Sequence, residues 1–139
     1  MATINMQTMR YINLLDRVTR VKTKRCFYYN GTVIFAVPFG FVNRAVGAGG
    51  KNIKHMQRVI GRRVKVVREP ESETDAERFL KDVVDPMEFK SIEIKGDFII
   101  ISAGSRSRAA TLIGRSKIKL EELNKIVKDN FGKELKIIY

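Results

Sequence analysis

The sequence predicts an α+β protein made of two tandem copies of one unit, each a small sheet that helices cover on one face. Each half of the chain contains, in the same order, a helical apolar stripe, a hairpin turn, a glycine turn between two helical segments and a final strand. The later signals recur at offsets of 66 to 71 residues. We therefore expect a first domain at 1–69 and a second at 70–139, which pack on each other because each is small for independent stability.

Positive charge is concentrated in the first of these domains. The chain carries 27 basic and 15 acidic residues, for a net charge of +12. Residues 1–70 contain 14 of the basic residues and only 2 of the acidic ones, so the whole excess lies in that half. A one-sided basic field of this size favours a polyanionic partner, either a nucleic acid or an anionic membrane surface.

The first domain is predicted to begin with an amphipathic helix from about Ile4 to Val21. Its apolar stripe consists of Tyr11, Leu14, Leu15, Val18 and Val21. Asn30-Gly31, between runs of β-branched and aromatic residues, is typical of a two-residue hairpin turn. The remaining segments are a short helix over 41–46, a helix over 51–60 that ends at Gly61, and a strand over 62–67.

The second domain repeats this order. An acidic linker at 69–73 contains a proline and separates the two apolar patterns. Thr74 and Glu77 predict a capping box that starts the next helix, and Gly96-Asp97 predicts the second hairpin. The segments that follow are a short helix over 105–113, a longer helix that ends before Gly132, and a strand over 135–139.

The two copies differ in the length of the helix that follows the glycine turn. The turns begin at Gly47 and Gly114, which are 67 residues apart, whereas the glycines that end the following helices, Gly61 and Gly132, are 71 residues apart. The difference of four residues is about one helical turn. The second copy should therefore have the longer helix.

The turn Gly47-Ala48-Gly49-Gly50 has the features of an anion-binding site. Its glycines allow a ligand to approach the backbone closely, and the following helix start offers free N–H groups and the positive end of the helix dipole. Nucleotide-binding loops do not fit the sequence. A P-loop needs Ser or Thr where Asn52 lies, and the dinucleotide-binding fingerprint needs glycine there.

A GxxG turn between two helices, after a hairpin and before a strand, resembles the KH domain, whose GxxG loop clamps single-stranded nucleic acid. The element order is similar to that of the type II form. The resemblance implies RNA contacts by the turn and the adjacent lysines, while the basic residues of the following strand line one wall of a groove. The predicted RNA-binding residues are Gly47, Ala48, Gly49, Gly50, Lys51, Lys54, Arg62, Arg63 and Lys65. Among the aromatic residues, Phe39 and Phe41 are the best candidates to stack on a base.

The second turn, Gly114-Arg115-Ser116-Lys117, departs from the KH pattern because lysine stands where the second glycine should be. A long side chain at that corner would hinder a close backbone approach, although Lys117 could still contact a phosphate. We expect weaker RNA binding by Gly114, Arg115, Ser116 and Lys117. A plain connection between helices is an equal alternative for this turn.

A pair of adjacent type II KH domains is similar to the RNA-binding part of the NusA family of transcription termination and antitermination factors. The resemblance implies binding to single-stranded nascent RNA and modulation of elongation or termination, with RNA polymerase as a further candidate partner. The chain has no room for the polymerase-binding and S1 domains of bacterial relatives, which argues against a direct polymerase contact. A ribosome-assembly or RNA-processing protein and a protein scaffold of the transcription machinery are the alternatives.

Other classes of protein find little support. The sequence has no Ser/His/Asp set, and its one cysteine (Cys26) and one histidine (His55) cannot form a zinc site. We expect neither an enzyme nor a cofactor or small-molecule substrate. No apolar run approaches the about 20 residues that span a bilayer, and residues 1–5 lack the pattern of a signal peptide. We therefore expect a cytoplasmic protein without a membrane partner.

Overall fold

Each of the two hairpin signals lies in its own three-stranded sheet. The structure, a computed structural model, describes residues 5–139. The chain divides into two units with the boundary between Glu69 and Pro70. Each unit combines one sheet with helices, so the α+β class is confirmed. The packing of the two units on each other stays a prediction.

The first unit has its helices and strands in the predicted order. The elements are α1 (Met6–Thr19), β1 (Arg25–Tyr29), β2 (Thr32–Val37), α2 (Val42–Val46), α3 (Lys51–Ile60) and β3 (Arg63–Arg68). Asn30 and Gly31 adopt positive φ angles of 53° and 70°, as a type I′ turn requires, and they join β1 and β2 as an antiparallel pair. β3 runs parallel to β2 along its other edge, so that its last residue, Arg68, lies opposite Val37.

The core of the first unit lies between its sheet and its helices. Val33, Phe35 and Val37 of β2 have no exposed surface, and they share one face of the sheet because side chains alternate along a strand. They belong to the same apolar cluster as Leu15 of α1 and Met56 of α3. This cluster fixes α3, and hence the glycine turn before it, against the sheet.

The second unit repeats the topology of the first. Its elements are α4 (Ala76–Val84), β4 (Ser91–Lys95), β5 (Phe98–Ser102), α5 (Arg106–Ile113), α6 (Ile118–Phe131) and β6 (Glu134–Ile138). β4 and β5 are antiparallel, and β6 runs parallel to β5. α6 has 14 residues against 10 in α3, which confirms the predicted difference of one helical turn.

The first helix ends earlier than its apolar pattern predicts. α1 stops at Thr19 because Arg20 adopts a left-handed φ of 61°, and the Arg20 N–H donates to the Asp16 carbonyl (2.8 Å). Val21 is buried all the same, since it reaches the core from the loop after the helix. The predicted helix start at Ile4, and most of the segment assessed for a signal peptide, lie outside the described residues.

The capping box predicted at Thr74 and Glu77 does not form. The Glu77 carboxylate instead accepts a hydrogen bond from the Ile92 N–H of β4 (3.2 Å), and the Thr74 hydroxyl is hydrogen-bonded to that of Ser72 (2.7 Å). α4 begins without a side-chain cap, directly after a 3₁₀ turn at Glu73–Asp75. Glu77 therefore joins the helix to the sheet rather than closing the helix start.

Candidate nucleic-acid interface

The first turn, residues 47–50, forms the junction between α2 and α3. Gly47 has φ 79° and ψ 163°, a backbone region that is essentially restricted to glycine. Gly49 and Gly50 are left-handed, with φ of 62° and 76°. The Gly50 N–H donates to the Gly47 carbonyl (3.0 Å) and closes the turn. The three glycines therefore serve two different backbone conformations.

The side chain of Asn52 packs against Gly47. Its Nδ2 donates to the carbonyl of Arg44 (3.1 Å), near the end of α2. A Cβ on Gly47 would lie 2.8 Å from both Cγ and Nδ2 of Asn52, so no side chain fits there while Asn52 keeps its place. Glycine is therefore required at position 47 for two reasons: its backbone angles and the close approach of Asn52.

The outer side of the first turn is open. Ala48 and Gly49 are exposed, and a Cβ on Gly49 or Gly50 would meet no other heavy atom within 4 Å. The N–H groups of Gly50 and Lys51 donate to the carbonyls of Gly47 and Ala48 within the turn, and the helix dipole places a partial positive charge at the start of α3. An extended anion can therefore come close to the backbone at the start of α3.

Basic side chains follow the turn along α3. Lys51, Lys54 and Arg58 are exposed, as their spacing predicts, on the side of the helix away from the buried Met56. Because α3 rises about 1.5 Å per residue, this row of charges extends from the turn along most of the helix. His55 is exposed on the same helix.

Negative charge is scarce in this unit. Its carboxylate side chains are those of Asp16 and Glu69. Asp16 lies on α1, and Glu69 pairs with Arg25 (3.8 Å) beyond the end of β3. The lysines at the turn therefore have no carboxylate on α2 or α3 to neutralise them.

Arg62 and Arg63 lie at the opposite end of α3 from the turn. α3 has 10 residues, so about 15 Å of helix separates them from it. The Arg62 guanidinium lies 5.5 Å from the centroid of the Tyr28 ring, Arg63 is exposed, and Lys65 is half-buried on β3 beside the helix. The structure thus does not gather these three residues at the turn, and a ligand that touches both sites must extend along α3.

Two arginines that the sequence analysis did not single out contact the aromatic residues near the turn. The Arg68 guanidinium lies 5.3 Å from the centroid of the Phe39 ring, and that of Arg44 lies 5.6 Å from the Phe41 ring. The Arg44 contact could have been found from its spacing of three residues at the start of a helix. The Arg68 contact arises only because β3 pairs with β2.

The second turn, residues 114–117, has nearly the same backbone shape as the first. Gly114 has φ 75° and ψ 173°, while Ser116 and Lys117 have left-handed φ angles of 56° and 61°. Lys119 takes the place of Asn52, since its Nζ donates to the Thr111 carbonyl (3.3 Å) and its Cγ would lie 2.8 Å from a Cβ on Gly114. The lysine at the position of Gly50 therefore has not altered the shape of the turn.

Both helices that follow the turns contact an edge strand in the same way. Gln57 Oε1 accepts from the Val64 N–H of β3 (3.0 Å), and Asn124 Oδ1 accepts from the Leu135 N–H of β6 (2.9 Å). Each is the seventh residue of its helix. α3 and α6 therefore correspond from their first residues, and the extra turn of α6 lies after this contact.

Groups with other chemistry are few. Cys26 is buried, and burial raises the pKa of its thiol to about 12, so the thiol stays protonated at neutral pH. Within residues 5–139, no cluster of three or more His, Cys, Asp or Glu side chains could hold a metal ion. No helix in that same part of the chain has the length and apolar character to cross a membrane.

The repeated helix–strand–strand–helix–helix–strand order and the open turn between paired helices define the class: an α+β protein that resembles KH-type units. No protein-family profile matches the chain. Within this class, the particular proteins it resembles are archaeal NusA-like proteins.

Two curated archaeal relatives carry the name "Probable transcription termination protein NusA". The protein of Methanococcus vannielii is 23% identical over 92 residues, which cover 66% of this chain and 51% of the relative. That of Methanocaldococcus jannaschii is 25% identical over 84 residues, which cover 60% of this chain and 44% of the relative. The chain therefore spans about half the length of the curated relatives it matches.

The similarity extends to a solved structure. The crystal structure of APE1850 superposes with a TM-score of 0.68 and is 25% identical in sequence. The match covers 97% of this chain and 100% of the other. The sequence relatives and the fold thus agree in supporting the resemblance.

Proposed function

We propose that this protein binds single-stranded RNA through the first turn, and that each unit is a type II KH domain. The observation that carries the proposal is the open backbone of residues 47–50 at the start of α3, in the half of the chain that holds the whole net positive charge. A nucleic acid backbone is the polyanion that fits a narrow, solvent-open turn with lysines on one side.

Phosphates lie against the positive end of the α3 dipole, where Ala48 and Gly49 leave room for them. Lys51 and Lys54 neutralise them from the same helix. A lysine in the first turn of a helix opposes the helix dipole, and a bound anion removes this unfavourable interaction. Arg62, Arg63 and Lys65 contact a part of the RNA farther along α3.

The second turn binds RNA more weakly. Its backbone has nearly the same shape as that of the first turn, but Lys117 has a side chain at the position that corresponds to Gly50. The contribution of residues 114–117 is then a set of point charges, from Arg115 and Lys117, rather than a close backbone contact. The second unit is also neutral as a whole, because residues 71–139 contain 13 basic and 13 acidic residues.

The biological role that we propose is that of a NusA-like factor, which binds nascent transcripts and modulates elongation or termination. The names of the two archaeal relatives support this role. We place the protein in the cytoplasm, with RNA polymerase as a candidate partner, and propose no enzymatic activity, cofactor or membrane contact. This role makes single-stranded RNA, rather than a small molecule, the ligand to test first.

The double substitution Ala48→Asp and Gly49→Asp tests the proposal. Both residues are exposed, and aspartate tolerates the left-handed conformation of Gly49 better than most residues do, so we expect the fold to persist. Fluorescence anisotropy with short single-stranded RNA should show affinity reduced by at least about tenfold. A thermal melt checks that the protein is folded.

Two matched variants separate charge from shape. Ala48→Asn with Gly49→Asn introduces similar bulk without charge and should weaken binding less than the aspartates do. Arg115→Asp with Ser116→Asp alters the equivalent positions of the second turn and should have the smaller effect, although it removes more positive charge. Unchanged RNA affinity in the Ala48/Gly49 aspartate variant would show that the proposal is wrong.

The salt dependence of binding distinguishes RNA contact from a scaffold role. Phosphate contacts make the logarithm of the affinity fall linearly with the logarithm of the salt concentration, by about 0.7 per phosphate neutralised on a single strand. A steep slope in the wild type and a shallower one in Lys51→Ala support direct contact. Absence of measurable RNA binding by the wild type at low salt favours the protein scaffold.

A further inference from the structure

Two phenylalanine rings stand in solvent beside the first turn. Phe39 is 69% exposed and Phe41 is 41% exposed, and both lie in the segment that joins β2 to α2. This segment is ordered by the backbone, since the Phe41 N–H donates to the Pro38 carbonyl (3.1 Å). Single exposed apolar side chains are common on protein surfaces, but here two exposed aromatic rings lie two residues apart, and we call them the aromatic patch.

Each ring is held by an arginine. The Arg68 guanidinium lies 5.3 Å from the centroid of Phe39, and the Arg44 guanidinium lies 5.6 Å from that of Phe41. Both distances are within the range of a cation–π interaction. Such a contact orients the ring before a ligand arrives, which reduces the entropy that binding must remove.

The aromatic patch is linked to the first turn through Arg44 and Asn52. Arg44, which holds Phe41, also provides the carbonyl that accepts the hydrogen bond from Asn52 (3.1 Å). Asn52 in turn packs against Gly47. α2 has only five residues, so about 8 Å of helix separates the patch from the turn.

The second unit also contains an arginine–aromatic pair, but the arginine and the aromatic residue have exchanged positions. Arg106 lies eight residues before Gly114, as Phe39 lies eight before Gly47, and Tyr139, directly after β6, lies five residues beyond Glu134 as Arg68 lies five beyond Arg63. The Arg106 guanidinium lies 5.2 Å from the centroid of the Tyr139 ring. Both units therefore place one exposed ring and one guanidinium at the same point of the fold.

We infer that Phe39 and Phe41 are stacking sites for RNA bases whose phosphates are held at the first turn. The inference rests on the proposed RNA-binding function and adds base contacts to it. Aromatic rings bind single-stranded nucleic acids by stacking on successive bases, and the contact tolerates any base because every base has a π-face. The guanidinium at each ring lies over one of its faces, so a base stacks on the opposite face.

Leucine substitutions test the inference at constant apolar character. Phe39→Leu and Phe41→Leu should each reduce the affinity for single-stranded RNA by about 5- to 150-fold, the range found when stacking contacts are removed. The slope of affinity against salt should stay as in the wild type, because no phosphate contact is lost. Phe39→Tyr keeps the ring and should bind within about twofold of the wild type. Val59→Ala, which trims another exposed apolar residue of the unit, should also bind like the wild type.

A spectroscopic measurement reports the contact directly. The chain has four tyrosines but no tryptophan, so Phe39→Trp introduces a single indole at the patch, whose emission is excited selectively at wavelengths that tyrosine does not absorb. The variant should bind RNA with wild-type affinity, and a base that stacks on the indole should quench its emission. An oligonucleotide of the same length with abasic sites should still bind through its phosphates but leave the emission unchanged.

The outcomes separate this inference from the function on which it rests. If the wild type binds RNA and the Ala48/Gly49 aspartate variant does not, the proposed function stands. Leucine variants that then bind like the wild type, or a Phe39→Trp emission that RNA does not quench, overturn the stacking inference alone. Absence of RNA binding by the wild type overturns both.

Discussion

The side-chain Nδ2 of Asn52 lies 3.1 Å from the backbone carbonyl of Arg44, so the second residue of α3 satisfies a carbonyl at the end of α2. In the second unit the Nζ of Lys119 lies 3.3 Å from the Thr111 carbonyl in the equivalent place. Two different side chains thus provide the donor that a helix end requires. Hydrogen bonds within each unit therefore hold its turn in shape without a ligand.

Asn52→Ala should destabilise the first unit by about 1 kcal/mol, because the Arg44 carbonyl loses its donor at a partly solvated site. Asn52→Lys copies the residue of the second unit and should retain most of the wild-type free energy of unfolding. Urea denaturation of the three proteins measures both values. Equal destabilisation by alanine and lysine would show that a donor at this position does not stabilise the turn.

Gly47→Ala should destabilise the protein much more than Gly49→Ala. Both glycines have positive φ, but only Gly47 lies in the region that side chains do not adopt, and its Cβ would lie 2.8 Å from Asn52. We expect a loss of about 3 kcal/mol for Gly47→Ala and about 1 kcal/mol for Gly49→Ala, whose Cβ meets open space. Chemical denaturation distinguishes these values, and equal losses would contradict the conformational argument.

Lys117→Gly should stabilise the second unit. Lys117 is held at φ 61°, where a side chain is strained by about 1–2 kcal/mol, whereas glycine adopts this conformation freely but has more entropy to lose. The net gain should be about 0.5–1 kcal/mol, seen as a higher midpoint of thermal unfolding. Lys117→Asn removes the charge but keeps a side chain suited to this conformation. Its midpoint of thermal unfolding should therefore lie between those of the wild type and Lys117→Gly. A glycine variant that is less stable than the wild type would contradict the prediction.

The buried thiol of Cys26 should make stability fall at alkaline pH. Burial raises its pKa from 9.0 to about 12, so the folded state retains a proton that the unfolded state releases. This contribution is complete below pH 9 and is lost as the pH rises from 9 towards about 12. Cys26→Ala should be less stable at neutral pH, because of the cavity, but its stability should decline less over that interval.

The wild type and Cys26→Ala are compared under reducing conditions. The quantity compared is the slope of the free energy of unfolding against pH, because other groups also titrate in this range. The pKa of Tyr28 is raised to about 12 by burial and by its hydroxyl contact with Tyr11, and Tyr28 is present in both proteins. Parallel declines of the wild type and the variant would show that Cys26 does not contribute.

The element order could be predicted because its signals are local. Asn30-Gly31 and Gly96-Asp97 specify hairpins through their own backbone preferences, and Gly61 ends a helix in the left-handed conformation that glycine favours. The difference of four residues between the two copies appeared in the spacing of glycines alone. Each of these features depends on a few adjacent residues.

Features that depend on a second element could not be predicted. Glu77 has the spacing of a capping residue, but β4 offers it the Ile92 N–H, and the sequence does not reveal this competitor. The contact between Arg68 and Phe39 depends on the pairing of two strands. The shape of the second turn was also hidden, because Ser116 and Lys117 adopt angles that glycine usually occupies.

The two turns show which glycine the architecture cannot exchange. Gly47 and Gly114 share the φ and ψ angles that L-amino acids avoid, whereas the positions of Gly49 and Gly50 accept serine and lysine in the other copy. A search for distant members of this architecture should therefore demand one glycine after a hairpin and a short helix, and leave the later positions open. Loss of the second glycine leaves the domain intact, so a duplicated unit is free to change its binding properties while its sister retains the original ones.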